Sequence, residues 1–345
     1  MMASSALSIP GLVGEERTWC VTGVAGFIGS HLAEALLSSG QSVVGIDDFS
    51  TGHRANLDDV CVRVGPEAWS HFRLVEGDIR DPDACSDAVT GAHVVLHQAA
   101  LGSVPRSLET PLATHTVNVD GTLNVLLAAR DAGAGRVVYA SSSSVYGDHP
   151  GLPKVEDEIG RPLSPYAVSK RTVELYAQTV QDHYGLETVG LRYFNVFGPR
   201  QDPAGAYAAV IPKWIGQLLD DQTPTIHGDG LTSRDFCYVD NVVQANLRAA
   251  LAPASATGAV YNVAYGEQTS LRELYDLIAA GLQDARPEMV IPKPVSGPFR
   301  AGDVRHSLAN TSLARAAFGY VPEYSARRGL RDTVAWYADR AVDVS

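Results

Sequence analysis

Val21-Thr22-Gly23-Val24-Ala25-Gly26-Phe27-Ile28-Gly29-Ser30 decides how the rest of the chain is read. It follows a short β-type run, Trp19 to Val21, and opens into His31-Leu32-Ala33-Glu34-Ala35-Leu36-Leu37, whose apolar spacing predicts a helix. Strand, glycine-rich turn and helix together form a cradle for a pyrophosphate. Gly23 permits the tight turn, Gly26 lets the backbone approach the phosphates, and Gly29 lets helix and sheet pack closely. Phe27 and Ile28 fall inside the same turn. After the helix, Gln41 to Ile46 reads as a second strand with Asp47 at its end, twenty-one positions after Gly26. That carboxylate is placed to accept hydrogen bonds from both hydroxyls of an adenosine ribose, and its charge repels a 2′-phosphate. The expected cofactor is therefore NAD rather than NADP. Asp48-Phe49-Ser50-Thr51-Gly52 then supplies a loop suited to the adenosine half.

Bulk properties narrow the field. The 345 residues fit one large domain or two smaller ones, and the 45% apolar content describes a soluble globular chain. No apolar run approaches the ~18 residues of a membrane span. Residues 1–16 lack a basic start and a sustained apolar centre, so they read as a partly ordered extension rather than a signal peptide. A formal net charge of −12 argues against nucleic-acid or anionic-membrane partners. Cys20, Cys61, Cys85 and Cys237 show no Cys-x-x-Cys pair, which fits free thiols in a reducing cytoplasm and no metal site.

The next segments continue an alternation of strands and helices. Phe72 to Ile79 reads as a third strand ending in Asp78. That acid, with the amide of Ile79, either reads an adenine edge or caps the turn into Asp81-Pro82-Asp83. Ala92 to His97 is a buried parallel strand, with His97 a core histidine, and it runs into Gln98-Ala99-Ala100-Leu101, small enough to pass close to a ligand. Helices are expected over Asn118 to Arg130 and Tyr166 to Tyr184. Both are apolar around much of their circumference, so a partner subunit in a four-helix homodimer contact would cover the second face. Thr116, Asn118 and Ser141 are further candidate cofactor contacts.

Arg136 to Ala140 is another strand, and Ser141-Ser142-Ser143-Ser144-Val145-Tyr146-Gly147 emerges from its carboxyl end, where ligands bind in a doubly wound sheet. Tyr166 and Lys170 begin a helix just after Pro165 and, four apart, share a face. The chain has only four lysines, which makes this spacing informative. A phenol with a pKa near ~10 is a poor base at neutral pH. A nearby ammonium and a positive nicotinamide favour the phenolate, while desolvation opposes it. Ser142 can hydrogen-bond an oxygen that changes between alcohol and carbonyl.

The glycine turn, Ser-x-Tyr-Gly after the serine-rich strand, and Tyr-x-x-x-Lys resemble the extended short-chain dehydrogenases. Leu191-Arg192-Tyr193-Phe194-Asn195-Val196-Phe197-Gly198-Pro199 is similar to that group's run from nicotinamide to substrate. Within the group the likeness is to UDP-hexose 4-epimerases, especially those acting on UDP-N-acetylglucosamine. It is carried by residues 97–107 and 205–212 and by Gly302-Asp303-Val304-Arg305-His306-Ser307. The resemblance implies an α/β fold, a doubly wound parallel Rossmann sheet with a smaller, interleaved C-terminal α/β substrate domain. Residues 17–198, with 235–265 returning to them, would bind NAD; 199–234 and 266–345 would bind the UDP-sugar.

It also implies roles: Tyr166 as base, Lys170 on the nicotinamide ribose, Ser142 on sugar O4, Tyr193 and Phe194 bordering the nicotinamide, and Asn195 on the diphosphate or sugar. Arg234 and Arg300 would clamp the diphosphate, and Asp303 the uridine ribose. Gly102, Ser103, Ser143, Ser144 and Gln201 are small or polar candidates for the sugar pocket; Ala209, Val210, Thr225 and His227 complete the substrate set. Ser307 stands where epimerases restricted to UDP-glucose carry a tyrosine, leaving room for a 2-acetamido group. Strand-type residues 233–240 would end in Asp240, capping a helix over Asn241 to Ala250. The competing readings are a UDP-glucuronate epimerase or decarboxylase, a 4,6-dehydratase, and a non-catalytic NAD sensor. A 4,6-dehydratase needs an acid pair where this chain has Ser143 and Ser144.

Overall fold

Alternate side chains of the central strands enter two different cores. In β1 (Thr18–Thr22), Trp19 and Val21 pack on one side of the sheet and Cys20 on the other; Val43 and Val44 of β2 (Ser42–Asp47) divide the same way. This two-residue period, with both faces apolar, is the signature of a parallel sheet covered on both sides. The computed structural model describes residues 9–205, 207–299 and 304–342. Its seven-stranded sheet is parallel throughout. The further strands are β3 (Phe72–Glu76), β4 (Val94–His97), β5 (Arg136–Ser142), β6 (Glu187–Tyr193) and β7 (Ala259–Val263), in the spatial order β7-β6-β5-β4-β1-β2-β3. The doubly wound sheet expected from the sequence is present. Its order reverses between β1 and β4, and a crevice opens there beyond the carboxyl ends of the strands.

Helix α1 (Phe27–Ser38) buries Leu32, Leu36 and Leu37 against one face of the sheet. Each such side chain contributes about 1.5–3 kcal/mol. The opposite face carries α2 (Pro82–Val89), α3 (Gly121–Asp131) and α4 (Pro165–Tyr184). α4 starts where it does because Ser164 Oγ accepts from the Ala167 amide and Pro165 occupies the first turn; it stops at Gly185, whose φ of 72° ends the helix. A third core, including Trp214, Phe236, Leu274, Tyr275 and Val334, lies beyond the main sheet with two short strand pairs, Thr225–His227 with Val295–Gly297 and Ser233–Arg234 with Thr269–Ser270.

Four expectations are corrected. The helix expected from Asn118 starts at Gly121, and Asn118 itself lies in a π-helical turn over Thr116–Asp120. The third strand stops at Glu76, so Asp78 lies beyond it. Residues 233–240 are two short strands, because Asp235 leaves extended pairing to accept the amides of Tyr265, Gly266 and Ala309 at 3.1 Å. Asp240 does not cap the next helix, which begins at Val239; it sits in the first turn, where burial pushes its carboxyl up to about 6. Of the N-terminal extension, residues 1–8 lie outside the described residues, while Ile9 and Leu12 are buried in the first core.

A Cβ at Gly29 would lie 2.1 Å from the Gly23 carbonyl oxygen, a backbone atom that cannot yield. Gly29→Ala is expected to lower the unfolding free energy by about 1–3 kcal/mol in urea titrations and to reduce co-purifying NAD. Unchanged stability and cofactor content would show that helix and turn do not need this approach.

Candidate active site

The glycine turn and Asp47 form one unit. Gly23 has φ 67°, and its amide and that of Val24 reach the Ile46 carbonyl of β2. Asp47 Oδ2 accepts from the Ala25 amide at 2.8 Å and Oδ1 from the Phe49 amide at 2.9 Å, so the carboxylate is held at the mouth of the turn. Burial pushes its carboxyl above the usual carboxylate range. α1 begins at Gly26 with no side-chain cap and no acid in its first turn, which leaves its N-terminal amides for an anion. Gly52 lies against Asp47, where a Cβ would meet Oδ1 at 2.7 Å. Asp48 Oδ1 accepts from the amide and hydroxyl of Ser50 and so shapes the 48–52 loop that includes Thr51. These donors, the bare helix end and the anionic ribose acceptor fit NAD.

From β4, the Gln98 and Ala99 amides donate to Thr22 Oγ1, each at 3.1 Å, and fold the 98–100 segment, with Ala100, onto the glycine turn. Tyr193 Oη reaches Gln98 Oε1 at 3.0 Å, and Asn246 Nδ2 donates to that hydroxyl at 2.8 Å. Tyr193 thus joins β6 to the β1–β4 crevice. Phe194 is fully buried beside Val145 and Tyr146 in a small separate core. His97 is the core residue expected: its ring nitrogens meet Thr22 and Thr122, and burial drives its pKa to about 3. Asn118 accepts from the Leu101 amide and donates to Ser169, tying this loop to α4. Thr116 spends its hydroxyl on the Ala113 carbonyl. Asp78 is taken up by the Arg80 amide and guanidinium at 2.8 Å, and its carbonyl closes the turn to Asp81, which caps α2; Ile79 is buried. Of the two readings of Asp78, these contacts match the turn.

The catalytic candidates converge on the end of β5. The Ser142 side chain lies against the Tyr166 hydroxyl and draws its pKa down, and it accepts the Ser144 amide at 3.1 Å. Lys170 is buried, and its ammonium donates to the Ala140 carbonyl at 2.8 Å while standing 6.0 Å from the centre of the Tyr166 ring. The expectation that lysine would favour the phenolate needs correction: the ammonium faces a backbone oxygen, and burial pushes the Tyr166 phenol up despite Ser142. Burial also brings Lys170 down to about 8. The Ser141 hydroxyl does not face a ligand, since it donates to Glu174 at 2.6 Å.

Among the sugar-pocket candidates, Ser144 Oγ and Gln201 Oε1 are buried and have no hydrogen-bond partner among the described residues, so they are set to receive polar groups. Ser143 shares the turn of Ser144. Ser103 caps the helix Val104–Glu109 just after Gly102. Asn195 donates weakly to the Asp235 carbonyl at 3.4 Å. Arg234 Nη1 donates to the Ser233 carbonyl at 2.9 Å, and the Ser307 amide pairs with that same carbonyl at 3.1 Å, which puts Arg234 and Ser307 on adjacent chains. A cleft of about 450 Å³ separates the Gly147–Pro150 loop and Leu163 from Val304–His306. Ala209 caps the helix Val210–Leu219. Thr225 and His227 lie in the ribbon with Val295–Gly297, His227 against the Pro298 carbonyl. Arg300 and Asp303 lie outside the described residues, as does Ala206.

Residues 19–264 match the model of the NAD dependent epimerase/dehydratase family. The chain belongs to that family. Its cofactor is NAD. This epimerase/dehydratase is 39% identical to the UDP-glucose 4-epimerase of Mycolicibacterium smegmatis over 93% of its length and 98% of the relative's. Its fold is similar to the UDP-N-acetylglucosamine 4-epimerase of Methanobrevibacter ruminantium, solved with UDP-N-acetylmuramic acid (36% identity, TM-score 0.86, 94% and 99% of the two chains). It is also similar to the UDP-glucose 4-epimerase of Thermus thermophilus solved with NAD (33% identity, TM-score 0.78, 93% and 98%).

Sequence reasoning missed Glu174, Arg192, Asn246 and Asp235. Glu174 alone carried a signal, eight residues after Tyr166 on the stripe that also holds Lys170; the others act through partners far along the chain. With Lys170 near 8, its ammonium is present below that pH and lost above it. Turnover is expected to fall as pH rises through about 8, and Lys170→Met to lose at least about a hundredfold in kcat together with that alkaline limb. An unchanged limb in the variant would assign it to another group.

Proposed function

We propose that the protein is a nucleotide-sugar 4-epimerase that interconverts UDP-N-acetylglucosamine and UDP-N-acetylgalactosamine, and also accepts UDP-glucose and UDP-galactose. The reading rests on the Ser142 and Tyr166 side chains facing each other at the end of β5, with the Lys170 ammonium on the Ala140 carbonyl, beside a crevice suited to NAD. Bound in the crevice by the glycine turn and Asp47, NAD would supply the hydride acceptor and donor for sugar C4. Tyr166 receives the 4-hydroxyl proton and later returns it, while Ser142 hydrogen-bonds the same oxygen as alcohol and as ketone. Lys170 supplies fixed positive charge and holds the cofactor ribose. Arg234, with Arg300 and Asp303, anchors the UDP so that the 4-keto sugar can turn over within its site and be reduced on the other face.

The sugar pocket suits loose holding, through small groups at Gly102, Ser103, Ser143 and Ser144. Hydroxyls at Ser143 and Ser144 offer no acid pair for water loss, which favours epimerisation over dehydration. Ser307 leaves space for a 2-acetamido group, and the similarity to an enzyme named for UDP-N-acetylglucosamine supports that substrate. UDP-N-acetylglucosamine supplied without reductant should yield UDP-N-acetylgalactosamine, and Ser307→Tyr should cut kcat/KM for it at least about tenfold more than for UDP-glucose. Equal losses on both sugars would remove Ser307 as the gate; a 4-keto-6-deoxy product would make the protein a dehydratase.

The proposal includes a homodimer. Val168, Leu175 and Tyr176 form an exposed apolar stripe on α4, while Val173 and Val180 face the sheet. A second copy would cover the stripe and make a four-helix contact with α3 and α4 of each subunit. Leu175→Glu should shift the sedimenting species from dimer to monomer; an unchanged dimer would place the contact elsewhere.

A further inference from the structure

Three side chains on one stripe of α4, each four residues from the next, engage three consecutive residues at the end of β5. Tyr166 meets Ser142, Lys170 meets the Ala140 carbonyl, and Glu174 meets Ser141. The third contact is the most heavily built. Glu174 Oε1 accepts from Ser141 Oγ at 2.6 Å and from Arg192 Nε at 2.8 Å; Oε2 accepts from Arg192 Nη2 at 3.0 Å and Arg171 Nη1 at 2.8 Å. Arg192 pairs in register with Ser141 from β6 and is almost fully buried. Its Nη1 continues to Tyr146 Oη at 3.1 Å and the Glu156 carbonyl at 2.8 Å, and Tyr146 Oη donates to Asn262 at 2.6 Å.

We propose that Glu174 is a positioning residue for the 4-epimerase reaction: it clips the end of β5 to α4, so that the Ser142 and Tyr166 hydroxyls meet at one oxygen site with the Lys170 ammonium beside them. This rests on the functional reading above. The clip acts from behind the site, since its carboxylate is buried and taken up by Ser141, Arg192 and Arg171. It also acts through charge. Glu174 is one turn from Lys170 and opposes the loss of its proton on burial. His97 from β4 faces the same region but is neutral, with its pKa near 3; Tyr139 from β5 and Tyr146 are pushed well up and also neutral. Arg192 and Arg171 are positive. The other elements packed on α4 turn their charges away from Glu174: Arg106 and Glu109 to Tyr207, His115 to Asp120, and Arg130 to Asp131 and over the Tyr184 ring at the last residue of α4.

The test compares Glu174→Gln and Ser141→Ala with wild type, using the NAD-loaded protein. The readouts are the pH profile of kcat and KM. Glu174→Gln should lower kcat about tenfold with KM within about twofold. Its alkaline limb should move about one unit to lower pH, as Lys170 loses its counter-charge. Ser141→Ala keeps the charge and loosens the clip, so kcat should fall several-fold with the limb in place. If Glu174→Gln does not fold, Ser141→Ala decides. Wild-type kcat in either folded variant, or an unmoved limb in Glu174→Gln, overturns the proposal. Absence of turnover in wild type instead overturns the epimerase reading.

Discussion

The buried ion pair between Glu174 and Arg192 is the constraint on which the packing of α4 against the carboxyl end of β5 depends. Two charges removed from water are costly, and they are tolerated only where each lone pair and proton finds a partner. Here a serine, a second arginine, a tyrosine and a backbone carbonyl close around the pair. The return on that cost is geometric. An apolar pair of the same volume would hold helix and strand together, yet it would leave their relative slide poorly fixed. Hydrogen bonds of 2.6–3.0 Å from one carboxylate to α4, β5 and β6 fix the slide, and with it the approach of Tyr166 to Ser142.

The same strategy recurs around the crevice, where single polar side chains hold loop backbone in place. Thr22 takes the amides of Gln98 and Ala99, Asp47 those of Ala25 and Phe49, and Asn118 that of Leu101. Asp235 does so between the sheet and the C-terminal part, gathering the amides of Tyr265, Gly266 and Ala309; burial raises its carboxyl to about 6. Asn262 does the same at the far edge, donating to the Lys154 and Asn310 carbonyls. On the opposite side, buried Arg200 pairs with Glu34 of α1 and with Asp59, which also pairs with Arg340 of the last helix. Cofactor helix and C-terminal part are thereby joined away from the chemistry.

What the sequence made legible was local. The glycine turn with Asp47, and the helix carrying Tyr166 and Lys170, are set by residues within about one strand–helix unit of each other, so their spacing carries the information. The apolar runs of β1, β2 and β4 were equally plain, because burial on both faces leaves a continuous signal. Misreadings came where a single buried acid overrides local preference. Asp235 breaks a strand to serve three distant amides, and Asp240 sits inside a helix it was expected to cap. The direction of the Lys170 ammonium was not legible, since the Ala140 carbonyl it meets belongs to another strand. Nor was Arg192, which in sequence is one more residue of a β-run and in space neutralises Glu174.

In the proposed reaction the hydroxyls of Ser142 and Tyr166 both address the oxygen on sugar C4. A crystal structure of the protein with NAD and UDP-N-acetylglucosamine is the decisive measurement. O4 is expected within hydrogen-bonding distance of both hydroxyls, with Lys170 on the nicotinamide ribose. A bound sugar with the Tyr166 hydroxyl turned away from O4 would contradict it.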